Sequence, residues 1–326
     1  MTRLPSLAAL ALLLVGLVLG GCPSPVAPFP DDSDDTDVPT PGDPLDMPEA
    51  MGPHSVQMFI DDIPSADRTL RTRIFVPDTE LRFVAMILPA FLIEPGQYDS
   101  YAEHLASHGY VAMIVNLPGG VGQNRRTHVE MATDVGFALN WLDTQSATRL
   151  PNIDVNNVFM VGHAQGAKVG LLRASEDARI RFFVALDPVD GSPYDTPDYP
   201  SVTPELMGQL NFPIAFVGET TNATTCAPEA QNFERYYEAA SGPALKVHAL
   251  NANHVSWLDD PECGALCNAC GAGTDDPEIT KRMTRGIILS FFEHFRFNRP
   301  GARDHFLSLA EYVGNGSVTV ESRNGL

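Results

Sequence analysis

The chain has 326 residues, 44% of them hydrophobic, with 41 acidic side chains against 21 basic ones and a formal net charge of −20. That length suffices for one large globular domain of the α/β kind. The acidic balance argues against nucleic acid as a partner, because such a surface repels phosphates.

Arg3 gives a short positive start, and Leu7 to Leu19 form an apolar run that ends in Leu19-Gly20-Gly21-Cys22. A run of this length is too short to span a bilayer comfortably, so a cleaved export signal is expected over residues 1–21. Small residues followed at once by cysteine resemble a lipobox, the signal of bacterial lipoproteins. The resemblance implies cleavage before Cys22 and acylation of that cysteine; an ordinary signal with a chance cysteine is the alternative. Buried methylenes would then hold the protein on the extracytoplasmic side of a membrane, in the periplasm or at the cell surface, without crossing it. Residues 22–53 are Pro-rich and carry eight acidic side chains and no basic one. They read as an extended, self-repelling tether. Within it, Asp31, Asp32, Asp34, Asp35 and Asp37 lack the Gly and distal Glu of a calcium loop, so they read as spacer.

From residue 54 the pattern changes. Apolar or β-branched runs predict strands at 56–60, 71–76, 83–88, 111–115, 158–162, 182–186, 213–218 and 245–250. The later runs are apolar throughout, as for parallel strands buried on both faces. Between them lie helical patterns. Tyr98, Tyr101, Leu105 and His108 share one face and Gly109 ends it; Val135, Leu139 and Leu142 line a second helix. Ala167 to Ala174 and Phe233 to Ala240 form two more, and a last helix spans roughly 278–297 with Ile279, Met283, Ile287, Phe291 and Phe295 as its core stripe. A hairpin-like start followed by strand–helix alternation predicts an α/β fold with an eight-stranded, mostly parallel sheet flanked by helices over residues 54–298. Residues 299–326 are polar and read as a loose C-terminal extension, with room for one short edge strand at Ser317–Glu321.

In such a sheet, ligands bind at the carboxyl ends of the strands. After the run at 158–162 comes Gly162-His163-Ala164-Gln165-Gly166-Ala167. Glycines two before and two after the central residue, between a strand and a helix, fit a nucleophile elbow, whose backbone turns too sharply for larger side chains. The central residue is Ala164, and a methyl group cannot attack a carbonyl. After the run at 182–186 comes Asp187-Pro188-Val189-Asp190-Gly191. Asp187, at the strand end, is better placed to orient a histidine; Asp190 before Gly191 reads as a turn residue. His254 follows the last predicted parallel strand, where a hydrolase base belongs. The order Ala164, Asp187, His254 is that of nucleophile, acid and base in an α/β-hydrolase.

Cys226, Cys263, Cys267 and Cys270 remain once Cys22 is set aside. Their even number and the export signal favour two disulfides, with three connectivities open. A four-cysteine zinc site is the alternative, although the spacing is not that of two Cys-x2-Cys knuckles. Apart from that alternative, no metal and no cofactor is expected.

Several of these segments together resemble the chlorophyllase branch of the α/β-hydrolases, related to cutinase-like and polyester-degrading esterases. That branch has Gly-His-Ser-x-Gly-Gly at the elbow, like 162–167 here with Ala164 for Ser and Ala167 for the last Gly. Leu186-Asp187-Pro188-Val189-Asp190-Gly191 is similar to its motif after the sixth strand without a change, and Asn253-His254-Val255-Ser256-Trp257-Leu258-Asp259 to its Gly-His-Met-Asp and Leu-Asp run. Tyr101 to Tyr110 resembles its Leu-Ala-Ser-His-Gly-Phe segment. The resemblance covers roughly residues 54–297 and implies a carboxylic ester hydrolase. It also implies oxyanion donors near Phe91 and Gln165. The departures cluster on the catalytic side: Ala164, Pro89-Ala90 in place of His-Gly, and Ser256 in place of an acid. Proline there supplies no N–H.

The first expectation is therefore a membrane-tethered pseudo-esterase, retaining a pocket for a small apolar or ester ligand lined by Phe91, Tyr98, Gln165 and Trp257. The second is an active ester hydrolase in which Asp187 holds His254 as base and an unconventional nucleophile, or water, replaces serine. The third is a surface module for a protein partner, with 263–270 as its contact region.

Overall fold

The computed structural model describes residues 45–326 apart from 46, 81, 118–125, 146–147, 151, 192–195 and 222–225. The predicted signal, Cys22, the aspartates 31–37 and the tether up to residue 44 lie outside the described residues. Nine strands among the described residues form one sheet: β1 (Val56–Pro64), β2 (Thr69–Pro77), β3 (Arg82–Leu88), β4 (Tyr110–Val115), β5 (Ile153–His163), β6 (Ile180–Leu186), β7 (Ile214–Gly218), β8 (Ala244–Ala249) and β9 (Val318–Arg323). Their order is β1-β2-β4-β3-β5-β6-β7-β8-β9. Pairing is parallel from β4 through β3, β5, β6 and β7 to β8 and antiparallel at both edges. All eight predicted strands are present.

The helices are α1 (Asp99–Ser107), α2 (His128–Gln145), α3 (Gln165–Ala174), α4 (Phe233–Ala239), α5 (Ala265–Asn268), α6 (Pro277–Phe297), α7 (Ala302–Ser308) and α8 (Ala310–Gly314). Strand periodicity explains why the central runs are apolar throughout. In β4, Tyr110, Ala112 and Ile114 enter the core under α1 and α6, while Val111, Met113 and Val115 enter the core under α2 and α3. Phe159 and Val161 of β5 likewise face one way, and Val158 and Met160 the other. Alternation by residue thus fills two cores from one strand.

The expected stripe of α6 is buried at Met283, Ile287 and Phe291, but Ile279 in its first turn is exposed. Asp276 caps this helix by accepting from the Glu278 N–H, Pro277 opens it, and Asn298 closes it at φ 50°. The C-terminal residues are not loose. Phe306 and Tyr312 are buried, and β9 adds antiparallel to β8 along six residue pairs. Their apolar residues are few but converge on one patch, which average polarity concealed. At the other end of the described chain, the Leu45 N–H donates to the carbonyl of Pro300 at 3.0 Å, just beyond α6.

Candidate active site

The turn between β5 and α3 is forced by two close approaches. A Cβ on Gly162 would lie 2.5 Å from the Cα of Ala167, and one on Gly166 would run into the backbone carbonyls of Leu88 and Pro89. Between them stands Ala164 at φ 50° and ψ −115°, a conformation that costs an L-residue about 1–3 kcal/mol. Its N–H donates to the carbonyl of Leu186 at 2.9 Å, tying the turn to the end of β6. The strained corner thus persists around a side chain with no reactive atom.

Asp187 follows β6 directly, is fully buried, and takes φ 39°. One carboxylate oxygen stands 2.6 Å from Nδ1 of His254; the other accepts from the Glu219 N–H at 3.3 Å. Nδ1 is thus the nitrogen that Asp187 holds, as an acid holds the base in a hydrolase triad. The structure therefore brings Ala164, Asp187 and His254 to one place, at the ends of β5, β6 and the loop beyond β8.

Asp190 does something different. Its carboxylate accepts from the Ser201 hydroxyl, the Val202 N–H and the Thr203 N–H and hydroxyl, at 2.5 to 3.0 Å. The Nζ of fully buried Lys168 lies 3.3 Å from it and donates to its backbone carbonyl at 2.9 Å. Burial pushes this carboxyl up, but the hydroxyl and amide donors outweigh burial and hold it below the usual carboxylate range. Asp190 is thus no plain turn residue; it knots the 201–203 segment to α3.

A cleft of about 300 Å³ opens over Ala164. Phe91, Ile93, Val189 and Val255 are the apolar side chains among its lining, and His128, Gln165 and His254 the nitrogen-bearing ones. Phe91 is 39% exposed and Gln165 opens α3. Both line the cleft. The first N–H groups of a helix lack intrahelical acceptors, which suits Gln165 to donating toward a ligand. In the other stretch Pro89 has no N–H, and that of Ala90 already donates to the Tyr98 hydroxyl at 3.0 Å.

Tyr98 and Trp257 do not line the cleft; they are 1% and 0% exposed. The short 3₁₀ turn Pro95–Tyr98 folds the tyrosine under Ala90, and a tight turn at 253–257 rotates the indole into the core. Ser256 is also buried. Its hydroxyl donates to Asn253 or Asp275 and accepts from the Asn253 N–H, so it is turned away from the cleft. The cysteines pair as Cys226–Cys270 and Cys263–Cys267, which removes the zinc alternative, and Cys226, Cys267 and Cys270 help form one cleft wall.

Sequence reasoning missed three residues. His163 bridges Tyr98 and the His254 carbonyl, at 2.7 and 2.9 Å. Burial pushes its imidazole well below the ordinary range, so it is neutral. His128, at the start of α2, has Nε2 2.9 Å from Nε2 of Gln165 and packs edge-on against Tyr199. Glu219, fully buried, places a carboxylate within 4.8 Å of the ligating atoms of Asp187 and His254. Glu219 follows a parallel strand directly, the same signal that pointed to Asp187. No comparable signal singles out His128. The Asp187–His254 hydrogen bond already joins two of that buried trio, and among the described residues nothing further points to an ion there.

An elbow at the end of β5, with an Asp–His pair delivered from the ends of β6 and β8 in that chain order, defines an α/β-hydrolase. A sequence model of one branch, Chlorophyllase, matches residues 51–303, and the chain belongs to the chlorophyllase family. It is similar to Chlorophyllase-2 of Arabidopsis thaliana, with 23% identity over 235 residues, 65% of this chain and 73% of that protein. It is also similar to Chlorophyllase-1 of the same plant, with 25% identity over 242 residues, 65% of this chain and 71% of that protein.

Proposed function

We propose that this chain is an exported, lipid-anchored pseudo-esterase, which binds an apolar or ester ligand in its cleft and hydrolyses esters weakly or not at all. The observation that supports it is the turn at Ala164. The corner, the Asp187–His254 pair and an apolar cleft are all retained around a residue without an attacking atom. Loss of a triad serine costs about 10⁶ in turnover, which leaves little beyond positioning and oxyanion contacts. A hydrolase using Ser256 finds no support, since that hydroxyl is buried among Asn253 and Asp275.

The test is hydrolysis of a short p-nitrophenyl ester by the natural protein, Ala164→Ser and Ala164→Ser/His254→Ala. The natural protein should be silent, and Ala164→Ser should turn over in a His254-dependent way. Turnover by the natural protein that His254→Ala abolishes would overturn the reading. The anchor rests on the sequence at Cys22 and is checked separately: labelled palmitate should enter the exported protein and fail to enter Cys22→Ala. Among the described residues no helix is long and apolar enough to cross a membrane.

A further inference from the structure

Two disulfides stand side by side at the cleft wall, and a cysteine of one is placed to bond a cysteine of the other. The N–H of Cys270 donates to the carbonyl of Cys267 at 3.0 Å and closes a turn between them. Such a turn brings its end Cα atoms within about 7 Å, and a disulfide takes Cα atoms about 4.4–6.8 Å apart. Cys267 and Cys270 nevertheless bond elsewhere, to Cys263 and Cys226. Exposure divides the four in the same way. Cys267 and Cys270 are buried, whereas Cys226 and Cys263 are half-buried. Each disulfide thus has one more open end and one sheltered end, and the sheltered ends are a turn apart. That turn is held to the base loop without its sulfurs. The Asn253 side-chain amide donates to the Gly271 carbonyl at 2.8 Å, and the N–H groups of Thr274 and Asp275 donate to the Asn251 carbonyl at 2.9 and 3.1 Å.

We infer that the cleft wall is a thiol–disulfide exchange site, where a small dithiol converts the Cys226–Cys270 and Cys263–Cys267 bonds into one Cys267–Cys270 bond and two thiols. The inference goes beyond the binding reading above and does not depend on it. One thiolate of the reagent attacks the Cys226 sulfur, a mixed disulfide forms, and the Cys226–Cys270 bond breaks with its electron pair going to Cys270. The Cys270 thiolate then attacks Cys267, forms the Cys267–Cys270 bond and expels the Cys263 thiolate, which takes a proton. The second thiol of the reagent displaces Cys226 and closes on the first. The dithiol is thereby oxidised to its cyclic disulfide, and its protons end on Cys226 and Cys263. Attack at Cys263 reaches the same products with the two pairs exchanged. A partner held in the same turn outcompetes a second molecule of reagent for the freed thiolate, because its encounter is already made. Three of the four cysteines line the cleft, so the exchange removes the covalent tie between Cys226, beyond β7, and the turn beside the base loop.

The test uses the full, oxidised chain and a single equivalent of dithiothreitol under native conditions at about pH 8, where thiolates form. N-ethylmaleimide then traps free thiols, and peptide mapping by mass spectrometry locates the label and the remaining bond. Cys226 and Cys263 should carry the label, with Cys267 linked to Cys270. Label on Cys226 and Cys270 with Cys263–Cys267 intact overturns the inference, as does label on Cys263 and Cys267 with Cys226–Cys270 intact. Absence of label overturns it too. Cys226→Ser gives a second check that needs no reductant, since it frees Cys270 from the outset. Label should then fall on Cys263, with Cys267–Cys270 formed; label on Cys270 with Cys263–Cys267 intact overturns the inference.

Discussion

The Tyr98 hydroxyl stands 2.7 Å from Nδ1 of His163 and accepts the N–H of Ala90 at 3.0 Å. Because Nε2 of His163 faces the His254 carbonyl, it must carry the ring's proton, and Nδ1 is then the acceptor of the Tyr98 O–H. Burial pushes the Tyr98 hydroxyl up, which keeps it protonated for that role. One buried chain therefore runs from the segment after β3 to the loop that holds the base. Ala90 and His163 line the cleft, while Tyr98 between them is buried.

Tyr98→Phe removes the middle of that chain and strands two buried partners, the Ala90 N–H and Nδ1 of His163. An unsatisfied buried group costs about 1–3 kcal/mol, so the variant should be destabilised by about that amount or somewhat more. Urea unfolding at neutral pH checks it. An unchanged midpoint would mean that the hydroxyl bond is not formed in solution.

The two aspartates near the cleft should separate cleanly by readout. In the Ala164→Ser background, Asp187→Asn should cut ester turnover by about 10⁴ with little change in melting temperature. Asp190→Ala instead leaves the Lys168 ammonium buried without its carboxylate, and should cost about 3–5 kcal/mol of stability. Parallel melting and p-nitrophenyl ester assays decide it; an Asp190→Ala protein that melts normally contradicts the assignment.

Gly166→Ala should be among the most damaging small changes. Its methyl would be driven into the carbonyls of Leu88 and Pro89, and backbone cannot step aside as a side chain can. Overpacking of this kind costs about 3 kcal/mol or more. Calorimetry of the purified variant should show the loss as a lower melting temperature.

Acid should weaken the fold in two stages. Burial, with His108 beside it, holds the His104 imidazole down at about 3, against 6.5 for the free group. Above 6.5 neither state binds the proton; as pH falls toward 3 the unfolded chain takes it and the folded chain does not, so stability drops over that window. Asp177, hydrogen-bonded by Arg179 and Arg173, is held below its ordinary range, as is Asp190. Their stabilisation is complete above about pH 4 and is lost as pH falls through their lower folded values. Urea midpoints taken from about pH 7.5 to 4.5 should fall for the natural protein. They should fall less for His104→Asn, relative to its own value at the top of the range.

Much of this was legible in the sequence, and the reasons differ by segment. The eight central and early strands announced themselves because burial on both faces leaves little room for polar residues. The Asp187–His254 pairing followed from chain order at strand ends, a topological argument that needs no side-chain geometry. Tyr98 and Trp257 defeated the same reasoning, since a residue near a strand end can rotate inward as readily as toward the cleft. The partners of His163 and His128 come from segments 65 and 37 residues away, and no local pattern records such contacts. The C-terminal strand β9 falls where the sequence left room for an edge strand at 317–321, but the packing of residues 299–316 was hidden by their polar average.

The hydrogen bond between Leu45 and Pro300 has a consequence for how the protein meets its surroundings. Helix α6 begins beside Asp275, which touches the base loop through Ser256, and ends next to Pro300. Its 21 residues span about 30 Å, so the chain enters the domain at the pole remote from the cleft. The described chain thus starts about one helix length from the cleft, so a change at Leu45 reaches the fold without touching the site.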